Sequence, residues 1–253
     1  MNKSIGKVAL IFEKLLQSDG PMGVNEIARE LKLSNSTVSR LLLSMENYGF
    51  ARKDSSSQKF FLGMKLFELG SKALEDLGLQ DIAVPEMERL RDEVNESVLL
   101  VTLEDTRIIY WHKVECKQAV VINHRMGATA PAYCTASGKA MLAYMSARVE
   151  KSIAEGLKPM TPHTITDPEK LRQEFAKIRK LGYATVGEEL REGVSSVGAP
   201  IFDATGTVVA AISIAVPTTR MNRKRQALLV DAVKRVAARI SQQLGAVQAS
   251  HPT

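Results

Sequence analysis

Two short apolar stripes with a break between them constrain this chain more than any other feature. Val24, Ile27, Ala28 and Leu31 fall at i, i+3, i+4 and i+7, the spacing of one helix face. After Lys32-Leu33-Ser34 the spacing returns in Val38, Leu41, Leu42 and Met45. Two amphipathic helices therefore follow one another across a tight turn, with Ser34 or Asn35 supplying the oxygen that caps the second. Opposite the second stripe lie Ser36, Ser39, Arg40 and Asn47, small hydrogen-bonding groups with one guanidinium. Such a face suits a major groove, where short side chains let the backbone approach and an arginine reaches a guanine edge or a phosphate. A helical hairpin inside any all-α domain has the same apolar pattern.

What flanks the pair favours DNA. Ile5, Val8, Ala9, Phe12, Leu15 and Leu16 predict a first helix that Asp19-Gly20-Pro21 stops. Tyr48-Gly49 ends the third helix. Phe50-Ala51-Arg52 and Phe60-Phe61-Leu62 then predict a hairpin around a Ser-rich tip. Three helices and a hairpin with basic flanks make a winged helix-turn-helix, with Arg52, Lys53 and Lys59 near phosphates. Leu43 is the misfit: helical geometry puts it on the polar face, unless it packs under the wing or the helical phase is slightly off.

Length and charge are compatible with this reading without demanding it. At 253 residues, two domains are expected, and 25% charged with 45% hydrophobic residues describes an ordinary soluble globular protein. The net charge is +6, a small basic surplus. No apolar run approaches the roughly 18 residues of a membrane span, and the first residues lack a secretory pattern. Cys116 and Cys134 have no metal-ligand spacing and fit a reducing cytoplasm. No metal or cofactor is expected.

Met64 to Leu79 reads as a connector helix with Leu66, Leu69, Ala73 and Leu77 on one side, pairing with a partner chain or simply packing. Beyond Asp81 the texture changes. Ala83 to Val94 is helical, with Pro85 in its first turn. Ser97–Leu103, Arg107–Val114 and Ala119–Asn123 read as strands, and Gly127 to Pro131 as a loop of small residues. Helices follow from near Thr135, from Ala147, and from Thr166-Asp167-Pro168-Glu169 to Gly182. Two more strands, Ser195–Phe202 and Val208–Val216, flank a turn at Asp203-Ala204-Thr205-Gly206, and a helix from Asn222 to Leu244 closes the chain. This is an α+β domain with a mainly antiparallel sheet.

Enzyme signatures are weak in that second region. Ser137-Gly138-Lys139 fails as a phosphate loop, because the earlier glycine position is Tyr133 and Ala140 follows the lysine. GxSxG, HExxH and GxGxxG are absent. Cys134 precedes a helix start, where a thiol pKa can fall, and His112 or His124 would be its spatial partner in a cysteine-dependent enzyme; a small buried residue is the plain alternative. Binding is the better expectation. The loop from Gly127 to Ala132 keeps side chains small ahead of a helix start that favours a carboxylate. Ser195, Ser196 and Ser213 are isolated hydroxyls on apolar strands, as in a small-molecule pocket or as local backbone partners. Glu188 and Glu189 face solvent, a ligand hydroxyl or another domain.

Together these residues resemble the IclR family of bacterial transcriptional regulators over nearly the whole chain. Glu26-Ile27-Ala28 and Ser36-Thr37-Val38-Ser39-Arg40-Leu41-Leu42 look like its two-helix signature. Cys134-Thr135-Ala136-Ser137-Gly138-Lys139-Ala140, Glu189 with Gly193, and Ala199-Pro200-Ile201-Phe202-Asp203 are similar to motifs of its effector domain. The resemblance implies a winged helix-turn-helix over residues 1–62, a linker helix over 63–80 and a GAF-like effector domain over 81–253. It also implies DNA contacts from Asn35, Ser36, Thr37, Ser39, Arg40, Arg52, Lys53 and Lys59. Effector contacts would come from Ala119, Ile122, Ala130, Ala136, Ser137, Glu189, Val194, Ser196, Ser213 and Ala215. Three departures stand out. A cysteine common in the family is missing near Ser196, an acidic residue often seen before the Glu pair is Val186 or Gly187, and Ser-Gly-Pro is here Ala215-Val216-Pro217. The last two remove polar groups, so a less hydroxylated small organic acid, aromatic acids included, is expected.

The expected protein is thus a cytoplasmic regulator whose grip on double-stranded DNA responds to a small organic-acid effector. One short reading helix covers too few base pairs, so a homodimer or dimer of dimers on an inverted repeat is expected. The rivals are an enzyme built on Cys134 and a sensing module that works only through protein contacts.

Overall fold

The first apolar face winds as a helix, α1 (Lys3–Gln17), in a computed structural model that describes residues 3–69 and 78–246. The face it buries is narrower than the sequence implies. Ile11 and Leu15 are buried with Val8 and Phe12 packed beside them, whereas Ile5, Ala9 and Leu16 are exposed. Positions 8, 11, 12 and 15 form one helical row; 5, 9 and 16 lie on the neighbouring row, which this core does not reach. The next two helices, α2 (Val24–Leu31) and α3 (Asn35–Asn47), bury the anticipated residues: Ile27 and Ala28 on one, Val38, Leu42 and Met45 on the other. Ser34 caps α3, its hydroxyl oxygen accepting from the Thr37 N–H at 3.3 Å. At the far end Gly49 takes φ +76°, which lets its N–H and that of Phe50 reach carbonyls of Glu46 and Met45.

The hairpin pairs β1 (Ala51–Lys53) with β2 (Phe60–Leu62), antiparallel, Ala51 opposite Leu62. Phe60, whose ring is buried, also exchanges both backbone hydrogen bonds with Met22, at 3.1 and 2.9 Å. The wing is thereby tied to the loop ahead of α2, a link no local pattern announces. Residues 65–69 are helical. The expected single helix from Met64 to Leu79 runs into residues 70–77, outside the described residues, so Ala73 and Leu77 lie there. Gly78 has φ +58°, and a new helix, α4 (Leu79–Val94), begins immediately after it. Pro85 therefore lies inside α4, not in its first turn. The helix starts early because Leu79 and Ala83 are buried together with Met87 and Leu90.

The chain divides into two units, Met1–Gly78 and Leu79–Thr253. The second is built on β3 (Val98–Glu104), β4 (Arg107–Val114), β5 (Thr129–Pro131), β6 (Ala184–Gly187), β7 (Val194–Phe202) and β8 (Val208–Pro217). They form one sheet in the order β5-β4-β3-β8-β7-β6, antiparallel throughout. Its helices are α5 (Ala136–Leu142), α6 (Ser146–Ala154), α7 (Pro168–Leu181) and α8 (Arg223–Gln243). α4 and α8 cover one face over Val98, Leu100, Val197, Ile212 and Ile214. α5 to α7 cover the other over Leu99, Val101, Ile108, Tyr110 and Ala211. Because side chains alternate along a strand, sheet residues of opposite parity face the two layers, and burial on both sides explains the near-continuous apolar runs of the central strands.

One strand expectation and one loop expectation fail. Ala119–Asn123 is irregular, with the Val120 carbonyl held by Arg220 at 3.1 Å, and the edge beside β4 is taken instead by Thr129–Pro131, read from sequence as loop. β-propensity is local, but which segment completes a ladder is decided by what else can reach that edge.

Close approach of α5 to its surroundings depends on two glycines. A Cβ on Gly198 of β7 would lie 2.9 Å from backbone atoms of Ala136 and Ser137, and one on Gly138 would lie 2.2 Å from the Ala132 carbonyl oxygen. Gly138→Ala should therefore cost about 1–3 kcal/mol of unfolding free energy through overpacking. Gly187→Ala, where a Cβ meets nothing within 4 Å, should stay within about 0.5 kcal/mol. Urea unfolding of both variants checks this; equal stability would show that the backbone around Gly138 yields freely.

Candidate nucleic-acid interface and ligand pocket

On α3, the residues opposite the core divide into two groups. Asn35 donates its amide to Asn25 Oδ1 at 2.8 Å, and the Thr37 hydroxyl pairs with Ser34 Oγ at 2.8 Å. Both side chains are engaged in holding the α2–α3 turn. Ser36, Arg40, Leu43, Ser44, Asn47 and Tyr48 are exposed, with Ser39 half-buried, and together they line one shallow concavity. Arg40 has no hydrogen-bond or ion-pair partner among the described residues. Leu43 neither packs under the wing nor reflects a shifted phase: Val38, Leu42 and Met45 are buried as the spacing requires, and Leu43 remains in solvent.

The wing adds positive charge beside this face. Arg52 stacks over the Phe61 ring at 5.0 Å and Lys53 lies 5.8 Å from the Phe60 centroid, so their charges are directed by aromatic faces. Lys59 stands 3.9 Å from Glu26, a loose, exposed pair. At the tip, Asp54 accepts from the Ser57 N–H at 2.7 Å and from both neighbouring serine hydroxyls, which hold its carboxyl well below the usual carboxylate range. The ionised Asp54 thus folds the Ser-rich tip into a turn.

In the second unit a cavity of about 450 Å³ opens on the α5 side of the sheet. Strand alternation builds its floor: Ser196 lies opposite Ala215, and Ser213 lies between Leu99 and Gly198, all on the parity that faces α5. Of the expected effector residues, Ile122, Ala130, Ala136, Ser137, Val194, Ser196, Ser213 and Ala215 line it. Two do not. Ala119 is exposed on the irregular segment outside the lining. Glu189 is buried away from the cavity, its carboxylate paired with Lys139 of α5 and 3.4 Å from the Ile165 N–H.

Sequence reasoning missed the polar half of the lining: Arg107, Tyr110, His124, Arg125 and Arg191. Alternation with buried Ile108 signals Tyr110, but the arginines come from a strand end and loops with no spacing to reveal them. Arg107 donates twice to the Thr129 hydroxyl, at 3.1 and 2.9 Å. None of the three guanidiniums has a carboxylate partner among the described residues. Tyr110 and His124 stack with centroids 4.7 Å apart. Burial pushes the phenol up to about 12 and the imidazole down to about 4, the Arg191 charge adding to the second shift. Both rings are neutral at pH 7, so the cavity carries a positive charge set by arginine alone.

Cys134 also lines the cavity wall but is not poised to react. Burial, reinforced by the Glu189 carboxylate, pushes its thiol up to about 12, and its Sγ lies 3.5 Å from the Pro131 carbonyl oxygen. Among the described residues no cluster of His, Cys, Asp and Glu has the geometry of a metal site.

Comparison with known proteins matches both units to domains of one family. Residues 4–55 match the IclR helix-turn-helix domain, and residues 71–242 match the bacterial transcriptional regulator IclR C-terminal domain. The HTH-type transcriptional regulator KdgR of Escherichia coli (strain K12) is 34% identical over 246 residues, which is 96% of this chain and 94% of that protein. The crystal structure of the Thermotoga maritima IclR superposes with a TM-score of 0.76 at 32% identity, over 97% of this chain and 100% of that one. An IclR homologue from Microbacterium hydrocarbonoxydans, crystallised with 4-hydroxybenzoate, gives 0.84 at 26% identity, over 96% and 99%. With a helix-turn-helix ahead of an antiparallel α+β domain, and with both family domains matched, the chain belongs to the IclR family of DNA-binding bacterial transcriptional regulators.

Proposed function

We propose that this regulator reads an inverted-repeat operator as a homodimer or dimer of dimers in the cytoplasm, and that a small organic acid in the cavity sets its affinity for DNA. The supporting observation is the set of guanidiniums around the pocket: among the described residues Arg107, Arg125 and Arg191 have no carboxylate partner, while burial keeps His124 neutral at pH 7. A pocket of about 450 Å³ with apolar walls and a few charged groups suits a small anion. Tyr110 and His124 offer ring faces to an aromatic acid, and the homologue holding 4-hydroxybenzoate supports that class.

In this reading residues 1–62 bind DNA, 63–80 connect, and 81–253 sense. Ser36, Ser39 and Arg40 approach base edges; Arg52, Lys53 and Lys59 approach phosphates. Asn35 and Thr37 act indirectly by fixing the start of α3. Among the described residues no helix is long and apolar enough to cross a membrane. Catalysis through Cys134 is disfavoured by its raised thiol pKa, and action through protein contacts alone leaves the unpaired Arg40 and the basic wing without a purpose.

Binding to the chain's own promoter region, followed by fluorescence anisotropy across a salt series, tests the proposal. Arg40→Ala should weaken that binding by about 1–3 kcal/mol without changing oligomeric state; full affinity in the variant would remove Arg40 from the interface. Ser137→Trp should fill the cavity, so that candidate acids no longer shift the wild-type binding curve while DNA affinity is kept. A variant that still responds would put the effector elsewhere. Because burial pushes its thiol up to about 12, Cys134 should label slowly with iodoacetamide at pH 7 and faster only well above pH 9. Rapid neutral-pH labelling would restore the enzyme reading.

A further inference from the structure

Leu43 is a large apolar side chain that folding leaves 47% exposed in the middle of the reading helix. The core closes without it: Ala51 and Phe60 of the wing are buried in one cluster with Val38, Leu42 and Met45, and Leu43 is not part of that cluster. With about 3.6 residues per turn, Ser36, Ser39, Arg40 and Leu43 make one row at i, i+3, i+4 and i+7, exposed except for the half-buried Ser39. The homeodomain reading helix contacts bases from four positions with this same spacing. Leu43 also borders two concavities: one shared with Arg40 and Asn47 along α3, the other with Asn25, Lys53 and Gln58 beside the wing. It is therefore flanked on both sides by groups suited to a nucleic-acid backbone or base edge, with the wing cations adjacent.

We infer that Leu43 is a specificity-determining residue that seats against the C5-methyl group of a thymine in the major groove. The only methyl displayed there belongs to thymine, so an apolar side chain on an otherwise polar face separates thymine from cytosine without a hydrogen bond. The neighbouring Arg40 reads or anchors by charge; Leu43 contributes discrimination that is indifferent to salt. This inference rests on α3 being the reading helix, as proposed above.

Selection from a random-sequence duplex library defines the preferred site of the wild-type chain. Each thymine of that site is then replaced singly by deoxyuridine, which removes the methyl and nothing else. Wild type should lose roughly fourfold in affinity at one thymine per half-site, the worth of one buried methyl. Leu43→Ala should bind both duplexes equally, and Leu43→Met, still apolar, should keep the difference. Because the side chain is exposed, melting temperature should be unchanged in both variants, which separates reading from folding. A wild-type chain indifferent to every replacement, or a Leu43→Ala variant that keeps the full loss, overturns the role of Leu43 and leaves α3 as the reading helix if Arg40→Ala still weakens binding. A wild-type chain that enriches no sequence overturns the reading of α3 and this inference with it.

Discussion

The buried pair between Lys139 and Glu189 is the contact on which the sensing unit's cavity depends. Lys139 is fully buried in the middle of α5, and its ammonium meets the Glu189 carboxylate with both charges out of solvent. Such a pair is weak as a source of net stability, because desolvation offsets much of the attraction, but removing one partner leaves an uncompensated charge at a cost of about 3–5 kcal/mol. The backbone around the glutamate is fixed as firmly. Its carbonyl accepts from Thr164 Oγ1 at 2.6 Å, and the Glu188 carbonyl accepts from Thr161 Oγ1 at 2.7 Å. Leu190 and Arg191, the next residues, are cavity residues, and Ala136 and Ser137 one turn before Lys139 are cavity residues too. One ion pair thus ties together two chain segments that both line the cavity.

The same pair explains why an acidic residue that looks like a ligand contact is not one. In sequence, Glu189 sits in a polar, glycine-bounded loop and reads as available. Lys139 sits in Ser-Gly-Lys-Ala, where its mate is invisible, because the two lie far apart in the chain and no local pattern connects them. Departures from locality of this kind account for most of what the sequence withheld. Ala119-Val120-Val121-Ile122 has every local property of a strand, yet Arg220, distant in sequence, holds the Val120 carbonyl, while Glu96, itself nearly buried, holds the Arg220 guanidinium at 2.9 Å. A segment pinned by one side chain does not need a ladder.

What was legible is what local chemistry decides. Ser34, Asp167 and Asn222 each cap the helix that their position announces, at 3.3, 2.8 and 2.9 Å to the receiving N–H groups. The Asp203 turn closes as its Asp-x-x-Gly pattern implies, with Gly206 at φ +77°. The strands bearing Ser196 and Ser213 carry their parity with them, so Val194, Ser196, Ser213 and Ala215 fall on the cavity side together, whereas Ile122, Ala130, Ala136 and Ser137 were expected from the family resemblance. The arginines escaped because arginine is ordinarily a surface residue; only the assembled cavity shows that Arg107, Arg125 and Arg191 share one opening without a counter-ion.

That missing counter-ion bears on how a ligand would act. An anion entering the cavity would meet three exposed guanidiniums that have no carboxylate partner among the described residues, and would gain charge-assisted contacts there. Arg191 is two residues from Glu189, whose carbonyl and carboxylate are anchored to Thr164 and to Lys139 of α5. Neither fact by itself moves a reading head. A ligand shifts operator affinity only to the extent that it binds the competent and incompetent states differently, and linkage then makes operator DNA alter ligand affinity by the same factor. For a coupling of about 1–3 kcal/mol, typical of such systems, the two cavity geometries need differ by no more than one charge-assisted contact made in one state and lost in the other. Arg191 is the cavity residue that joins a charge without a carboxylate partner among the described residues to a backbone fixed two residues away at Glu189, and that combination suits a contact made in one state and lost in the other.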